Sequence, residues 1–507
     1  MKAVIIGAGV GGLACGIRLL AQGFQVVILE KNETAGGRCA RRQEAGFTFD
    51  TGPTLLMMPD TLEELFQYTG RSLAEYLCLK RIDPAYRITY SDGQALDYGE
   101  RMKSLEREVL KFGLLELRGL YRYLEYSSML YRELRRKFID VPLETPSRYL
   151  DMEALALLLK AKPWRSVLDT VEDFFASPHL RMAFSFHTLY LGISPMDAPS
   201  LYSMLAYIDL VQGVYYPEGG MAQIPAALSR LFTEMGGEIR YSAEVEQIIT
   251  KEGRVREVLL HDERAVPADI VISNVDLPTT VSRFLRSQPA THHTKRVLRM
   301  EKGCSAAVFL FGLNRSHPQL RHHNLYLPLS FEKSLEQLFR QGRIPEEPAF
   351  YLCAPTRTDR SMAPEGCESV MVLVPVPNQE RMPDSGQAMA LLREKILNLL
   401  DRTWLPGIRQ QIVVEKVLPP GWYASRYALA EASTFGLTPR FFQSAMFRPQ
   451  RRSPDIRGLY YAGASTHPGN GIPIVLIAGR LAAEAIAQDY AHKGHVASSS
   501  RKIAAVR

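Results

Sequence analysis

The first thirty residues constrain the fold of this 507-residue chain more than any other segment. An apolar run, 3–6, is followed by Gly7, Gly9 and Gly12, by a helical pattern and by a second apolar run that ends at Glu30. These glycines permit a tight turn, a close approach of the backbone to a pyrophosphate, and close packing of helix on strand. Glu30 can accept hydrogen bonds from ribose hydroxyls. The segment therefore predicts a parallel βαβ unit that binds a dinucleotide.

Two glycine-rich segments after this unit extend the prediction. Gly37 and Arg38 follow the second strand closely, and a guanidinium there can form charge-assisted hydrogen bonds with a phosphate. A strand pattern at 47–50 ends in a tight turn at 52–54, whose backbone could lie beside a flavin ring. After an acid-ended second strand, the glycine–arginine loop favours FAD over NAD. A simple turn and a simple strand end remain the alternative interpretations.

The other strong signal lies near the far end of the chain. Residues 462–473 form a loop rich in glycine and proline, and a long apolar helix pattern follows at 474–490. The free N–H groups and positive dipole end of such a helix can hold a pyrophosphate, or the part of a cofactor on which negative charge develops. A loop that merely precedes a helix is the alternative. Together with the N-terminal glycines, the loop predicts one cofactor site built from both ends of the chain.

Composition and charge exclude several classes of protein. Hydrophobic residues make up 46% and charged residues 23% of the chain, which is typical of an ordered globular protein. The net charge of +7 is modest, so we expect no nucleic-acid partner, but it permits attraction to an anionic membrane. The six cysteines show no CxxC spacing, which predicts free thiols and no metal site. No apolar run reaches the roughly 18 residues of a spanning helix.

The stretch 101–140 is helical in pattern and basic, with ten Lys/Arg against six Asp/Glu. Apolar and aromatic residues recur there at near-helical spacing, at Leu114, Leu117, Tyr121, Leu124 and Met129. One interpretation is a solvated helix with a buried stripe. The other is an element that lies on a membrane surface, with basic residues on its polar face.

Motifs along nearly the whole chain carry a resemblance to a known family. Besides the segments already described, they are the runs Tyr216–Met221, Cys304–Ala306, Phe435–Leu437, Gln443–Ser444, Phe447–Pro449 and Gly463–Pro473. With these residues the chain resembles the carotenoid desaturase family of flavoproteins, within the amine-oxidase-like flavoenzyme superfamily. Inside that family it is most similar to the bacterial dehydrosqualene desaturases. That likeness is carried by the runs at 57–60, 189–193, 199–203 and 463–468.

Two departures from the relatives' patterns bear on function. Terminal carotenoid oxidases of this type carry Asn-Pro where this chain has His467 and Pro468, which favours desaturation over oxygenation. Many flavoproteins of the superfamily place an acid after the glycine of the last strand. Here Ala464 and Ser465 follow Gly463, so cofactor contacts at that point would have to come from backbone amides.

The resemblance implies an FAD-dependent desaturase. It would introduce conjugated double bonds into an acyclic C30 carotenoid precursor, 4,4′-diapophytoene, by hydride transfer to the flavin. The implied partners are this long apolar isoprenoid, a membrane surface, and oxygen or a quinone as electron acceptor. The implied location is the bacterial cytoplasm, in peripheral association with the cytoplasmic membrane. A C40 phytoene-type desaturase, a terminal carotenoid oxidase, an amine oxidase and a flavin-less lipid-binding escort protein remain as alternatives.

The resemblance also implies an α/β fold in three parts. A Rossmann-like FAD-binding domain, discontinuous in sequence, carries a substrate-binding domain with a mixed sheet and a helical, membrane-facing subdomain. The predicted ranges are 1–100, 206–280 and 446–490 for the FAD-binding domain, 101–205 for the helical region, 281–445 for the substrate-binding domain and 491–507 for a basic tail.

The predicted site consists mainly of cofactor-binding residues, and we expect no metal ligands. No catalytic base can be singled out. His467 is a candidate near the flavin, with a hydrogen-bonded structural role as its alternative, and acidic residues between 140 and 172 are further candidates. The predicted cofactor-binding residues are Gly7, Gly9, Gly12, Glu30, Gly37, Arg38, Gly52, Pro53, Thr54, Val245, Gly463, Gly471 and Ile472.

Overall fold

A computed structural model describes residues 1–99, 101–144, 152–382 and 386–491. In those four ranges, no helix combines the length and the apolarity that crossing a bilayer requires. Of the basic tail predicted at 491–507, all but Ala491 lies outside the described residues.

The strands and α-helices are numbered in chain order. The strands are β1 (Lys2–Ile6), β2 (Gln25–Leu29), β3 (Arg41–Glu44), β4 (Phe47–Asp50), β5 (Leu79–Ile82), β6 (Tyr86–Tyr90), β7 (Ala95–Tyr98), β8 (Val214–Pro217), β9 (Glu238–Arg240), β10 (Val245–Lys251), β11 (Arg254–Leu260), β12 (Ala265–Pro267), β13 (Ile270–Ser273), β14 (Ser305–Leu313), β15 (His323–Leu327), β16 (Phe350–Cys353), β17 (Glu368–Val376), β18 (Ile412–Leu418) and β19 (Leu459–Tyr461). The helices are α1 (Val10–Ala21), α2 (Asp60–Tyr68), α3 (Met102–Leu110), α4 (Leu114–Leu134), α5 (Met152–Ala161), α6 (Val167–Glu172), α7 (Pro178–Ser185), α8 (Met204–Tyr207), α9 (Gln223–Glu234), α10 (Leu277–Thr279), α11 (His292–Arg299), α12 (Phe331–Phe339), α13 (Gly386–Thr403), α14 (Ile408–Gln411), α15 (Pro420–Tyr427) and α16 (Ile472–Tyr490).

The predicted dinucleotide-binding unit lies in a five-stranded sheet with the order β19-β13-β1-β2-β9. All neighbouring strands in it are parallel. Parallel sheets are covered on both faces, which is why their strands are apolar throughout. Helices α1, α9 and α16 pack on one face, and the small antiparallel sheet β10-β11-β12 packs on the other. Because the sheet unites strands that are distant in sequence, it confirms the predicted discontinuous α/β arrangement.

A second, mixed sheet has seven strands in the order β18-β14-β17-β16-β15-β6-β7. Helix α13 covers one of its faces with buried leucine and isoleucine side chains. Strand β6 pairs in parallel with β15, so the β6–β7 hairpin extends the sheet at one edge. The hairpin comes from the range predicted as the first part of the FAD-binding domain, yet it is hydrogen-bonded to strands of the range 281–445. Strands that pair across so many residues leave no pattern among neighbouring residues from which the pairing could be predicted.

The buried face of α4 includes only part of the predicted apolar stripe. Leu114 and Tyr121 are 76% and 47% exposed, whereas Leu120 and Tyr123 are completely buried. The backbone of α4 at Gly119 lies against the backbone of Phe174, since a Cβ on Gly119 would come within 2.1 Å of the carbonyl oxygen of Phe174. This close contact sets which face of α4 is buried. Of the other predicted residues, Leu124 is buried, and Leu117 and Met129 are partly buried against the core. Tertiary packing therefore decides which of these periodic residues face the core.

Several basic residues of the stretch 101–140 form ion pairs within the protein. Arg135 pairs with Asp140 at 2.9 Å, and Arg136 and Lys137 both pair with Glu153, at 3.1 and 2.8 Å. Cations that already have carboxylate partners gain less from lipid headgroups than free ones do. A membrane-surface role for this stretch remains a prediction.

Candidate functional site

One large cavity is lined both by the carboxyl ends of the parallel sheet and by an apolar face of the seven-stranded sheet. Its volume is about 520 Å³, which is in the range of pockets that hold small molecules and cofactors. The carboxyl ends of an open parallel sheet are the usual place for a ligand. The cavity is therefore the candidate functional site.

The turn between β1 and α1 forms a cradle in the cavity wall. A Cβ on Gly12 would lie 2.5 Å from the carbonyl oxygen of Gly7, so glycine is needed for α1 to pack this closely. Gly9 is the N-cap residue, and no side chain caps the helix. The N–H groups of the first turn are therefore available to an anion, and the helix dipole favours negative charge there.

Glu30 lies at the end of β2, where its buried carboxylate is held by the backbone. One oxygen accepts a hydrogen bond from the N–H of Ala8 (2.8 Å), and the other accepts from the N–H and the side-chain amide of Asn32 (2.9 and 2.8 Å). These donors fix the carboxylate in the wall of the cavity. A fixed acid at this point can accept hydrogen bonds from a ribose and disfavours a 2′-phosphate.

The loop after β2 and the turn after β4 lie together beside the cradle. The N–H of Gly36 donates to the carbonyl oxygen of Ala8 (2.9 Å). A Cβ on Gly52 would lie only 1.9 Å from the carbonyl oxygen of Arg38, so these two segments pack backbone to backbone. The Arg38 guanidinium donates to the carbonyl oxygen of Thr434 (2.7 Å), and burial lowers its pKa. Such a cation is well suited to pair with a phosphate.

The C-terminal loop reaches the same cradle. A Cβ on Gly463 would lie 2.6 Å from the side-chain oxygen of Asn274, which in turn lies against the glycines of the first turn. Helix α16 begins at Ile472, two residues earlier than predicted, after Gly471 with a φ of +109°. Val245, the first residue of β10, is buried and lines the cavity as well. The two ends of the chain thus meet at one cavity.

His467 lies in the cavity wall and is 5% exposed. Its Nε2–H donates to the carbonyl oxygen of Val141 (3.2 Å), and its Nδ1 is buried without a hydrogen-bond partner in the part of the chain that the structure describes. Burial lowers the pKa of His467 to about 4. The imidazole is therefore neutral at physiological pH and retains a proton poorly.

The structure brings nearly all of the predicted site residues to this one cavity. Twelve of the thirteen predicted cofactor-binding residues line it, and so does His467. Gly12 does not line it, because its role is to pack α1 against the turn. The residues that line the cavity are Gly7, Gly9, Glu30, Gly37, Arg38, Gly52, Pro53, Thr54, Val245, Gly463, Gly471 and Ile472.

Asn274 and Arg448 are among the residues of the cavity wall that were not predicted as site residues. Asn274 follows β13 directly, and its position at the carboxyl end of an apolar strand was a signal that could have identified it. Arg448 is 2% exposed and donates to the carbonyl oxygen of Ala464 (2.7 Å). Arg448 lies in a loop, where no periodic pattern of apolar residues indicates which side chains are buried.

The residues of the cavity fit an adenine–flavin dinucleotide. The cradle offers uncapped N–H groups where a Cβ at Gly12 would overlap the backbone. Glu30 is held where a ribose acceptor is needed, and Arg38 is a half-buried cation beside the cradle. The remaining wall is apolar enough to receive a flat aromatic ring.

Comparison with known proteins agrees with this fit. The model of the family described as flavin containing amine oxidoreductase matches residues 10–487. The chain therefore belongs to that family, and it is an FAD-dependent oxidoreductase. Within the family it belongs to the carotenoid desaturases. It is 37% identical to the phytoene desaturase (lycopene-forming) of Pseudescherichia vulneris, over 96% of this chain and 99% of the relative.

Two further relatives and one solved structure are also similar to this chain. The 4,4′-diapolycopene oxygenase of a Methylomonas species is 34% identical, over 96% of this chain and 98% of the relative. The 4,4′-diapophytoene desaturase (4,4′-diaponeurosporene-forming) of Staphylococcus haemolyticus is 32% identical, over 97% of this chain and 100% of the relative. An oxidoreductase from Methanosarcina mazei shares the fold, with a TM-score of 0.64 at 19% identity, over 96% of this chain and 100% of that one.

Proposed function

We propose that this protein desaturates an acyclic C30 carotenoid precursor, 4,4′-diapophytoene. The observation that carries the proposal is the continuity of the cavity, which joins the dinucleotide cradle to a wall of apolar side chains. A long hydrocarbon needs such a wall, because its binding energy comes from apolar area removed from water. Members of this wall include Met57, Phe186, Leu189, Tyr190, Leu205 and Leu325.

The acidic residues of the described cavity wall argue against an amine substrate. Glu30 accepts three hydrogen bonds from N–H groups, and Glu244 pairs with Arg283 at 3.0 Å. Asp276 accepts from the hydroxyl of Ser465 (2.7 Å) and from a backbone N–H. Each carboxylate is thus already bound to protein groups, and an ammonium ion would have to displace them.

The reaction removes a hydride from one saturated carbon and a proton from its neighbour, and a new carbon–carbon double bond forms between the two carbons. The proton is released to solvent. FAD, when bound, supplies the acceptor for the hydride. The apolar wall orients the chain and excludes water, and the allylic cation that develops is stabilised by the polyene itself. His467 stays neutral and has a pKa of about 4, so we assign it a structural role and no role as the proton acceptor.

The C30 assignment is favoured over a C40 substrate by the runs at 57–60, 189–193 and 199–203. The relatives act on different substrates at similar identity, so substrate length must be tested directly. The FAD-loaded protein is incubated with 4,4′-diapophytoene or with phytoene in liposomes, and polyene absorption and product mass are recorded. Faster conversion of the C30 chain supports the proposal, and faster conversion of the C40 chain overturns it.

Oxygenation is the second candidate, because a diapolycopene oxygenase is 34% identical to this chain. His467 stands where terminal carotenoid oxidases carry asparagine, which favours desaturation. A product that contains oxygen at the chain end would assign the protein to that class instead. Mass analysis of the same incubations distinguishes the two outcomes.

We also propose that the protein works on the cytoplasmic side of a bacterial membrane, with oxygen or a quinone as electron acceptor. Exposed apolar side chains support this location. Leu114 and Leu115 at the start of α4 are 76% and 78% exposed, and Leu159 on α5 and Trp164 after it are 61% and 65% exposed. Such side chains are the kind that insert at the interface of a bilayer.

A further inference from the structure

Three metal-ligating side chains converge in the interior, next to the cavity wall. His323 and Cys353 lie directly opposite each other in the β15–β16 ladder, and His322 precedes β15. All three are at most 3% exposed. One nitrogen of each imidazole and the sulfur of Cys353 lie within 4.8 Å of one another.

The hydrogen bonds of the two imidazoles leave one nitrogen of each ring available. Nδ1 of His322 bonds to the hydroxyl of Thr358 (2.7 Å), and Nδ1 of His323 bonds to the hydroxyl of Tyr351 (2.6 Å). Nε2 of both rings is buried and has no hydrogen-bond partner among the described residues. Buried polar atoms are nearly always hydrogen-bonded, so two unpartnered ring nitrogens in adjacent residues need an explanation.

The hydrogen bonds of the two Nδ1 atoms resemble those of histidines that bind a metal ion. Histidines that bind a metal usually bond their other nitrogen to a protein group, which fixes the ring. Thr358 and Tyr351 occupy those positions here.

We propose that His322, His323 and Cys353 bind one transition-metal ion, for which zinc is the probe. Two imidazoles and a thiolate are borderline-to-soft ligands, which suit zinc and disfavour magnesium and calcium. The thiol of Cys353 releases its proton to solvent when the sulfur binds the ion, and a water molecule completes the coordination. Ligand atoms around zinc lie roughly 3.5 Å apart, so the three side chains must move slightly closer together.

The site would act on the cavity through Tyr351. Its hydroxyl bonds both to Nδ1 of His323 and to the hydroxyl of Thr54 (2.7 Å), and both Tyr351 and Thr54 line the cavity. The ion would therefore tie β15 and β16 together and hold this part of the wall in place. It takes no part in the oxidation chemistry, so the inference does not depend on which carotenoid is the substrate.

The test measures metal content of the complete, FAD-loaded protein. The protein is treated with a chelator, dialysed against zinc and then against metal-free buffer. We expect about one equivalent of zinc per chain, with one sulfur and two imidazole nitrogens as neighbours in X-ray absorption spectra. Absence of retained zinc in the wild-type protein overturns the proposal, and so does a coordination shell of oxygen atoms only.

Two variants and one control identify the ligands. Cys353→Ala and His323→Gln each remove one donor and should lower the zinc retained at least tenfold. Cys304→Ala removes another buried free thiol and should retain zinc as the wild type does. FAD absorbance verifies that each variant is folded. Equal zinc retention in the Cys353→Ala variant and the wild type would place the ion elsewhere and refute the assignment.

Discussion

The side-chain amide of Asn274 donates a hydrogen bond to the carbonyl oxygen of Gly7 at 3.3 Å. The same amide group fills the space beside Gly9 and Gly463, where Cβ atoms would come within 2.8 and 2.6 Å of it. Asn274 thus connects the glycine turn of β1 to the loop that follows β19. Three separate segments of the chain form one cradle because this amide lies between them.

Asn274→Asp should weaken FAD binding. The change preserves size but removes the N–H donor to Gly7 and places a carboxylate beside the proposed pyrophosphate site. A lost hydrogen bond and an added repulsion together correspond to on the order of 10- to 100-fold in affinity. The measurement is the fluorescence of released FAD on dilution. Asn398→Asp makes the same change at an exposed position and should bind FAD like the wild type. Equal affinity of both variants would contradict the role of Asn274.

Gly12→Ala should destabilise the fold. The added methyl group would lie 2.5 Å from the carbonyl oxygen of Gly7, and overpacking of this kind costs about 1–3 kcal/mol. Gly386→Ala is the matched control, because a Cβ there has no atom of the described residues within 4 Å. Thermal unfolding of the FAD-loaded proteins measures the effect. If Gly12→Ala melted at the temperature of the control, close packing at this turn would not matter for stability.

We expect the free energy of unfolding to decrease as the pH rises from about 4 to about 7, because of the buried carboxyl group of Asp50. Burial raises its pKa to about 7, although Tyr216 and the N–H of Met221 donate to its oxygens. The folded state therefore holds a proton that the unfolded chain has already lost in this window, and the slope of stability against pH is negative. Denaturant unfolding at several pH values between about 4 and about 7 measures this slope.

The Asp50→Asn variant is the control for the pH dependence of the free energy of unfolding. Its amide cannot titrate, and its oxygen can still accept the hydrogen bond from Met221. We expect the contribution of this site to the pH dependence, on the order of a few kcal/mol, to disappear. An unchanged slope in the variant would show that other groups cause the pH dependence.

Arg122→Glu combined with Arg132→Glu should release the protein from anionic liposomes. Both side chains are exposed, and neither is among the basic residues paired with Glu153 or Asp140, so the change acts on the surface charge and spares those ion pairs. Co-sedimentation with anionic liposomes is the measurement. Arg71→Glu with Arg256→Glu makes the same change in charge at exposed positions of the nucleotide-binding region and should leave binding intact. Equal sedimentation of both variants would rule out docking through 101–140.

The cofactor site was largely predictable because its signals are local. Glycines at 7, 9 and 12, the acid that ends β2 and the glycine loop before α16 each have a physical role that depends on their immediate neighbours. The face that α4 buries was not predictable in the same way, because it is set by the approach of Phe174 to Gly119. The hairpin β6–β7 was assigned to the first segment for a similar reason, since its partner β15 lies more than 220 residues away.

The sequence by itself determined the class of fold, the cofactor and the segments that hold it, because short-range patterns of glycine, charge and apolar residues encode a strand–turn–helix unit. Only the tertiary structure decided where Asn274 and Arg448 lie, and only it brought His322 and His323 to Cys353. Those contacts join residues that are far apart in the chain. Their proximity results from strand pairing and burial in the folded core, and no spacing in the sequence expresses it.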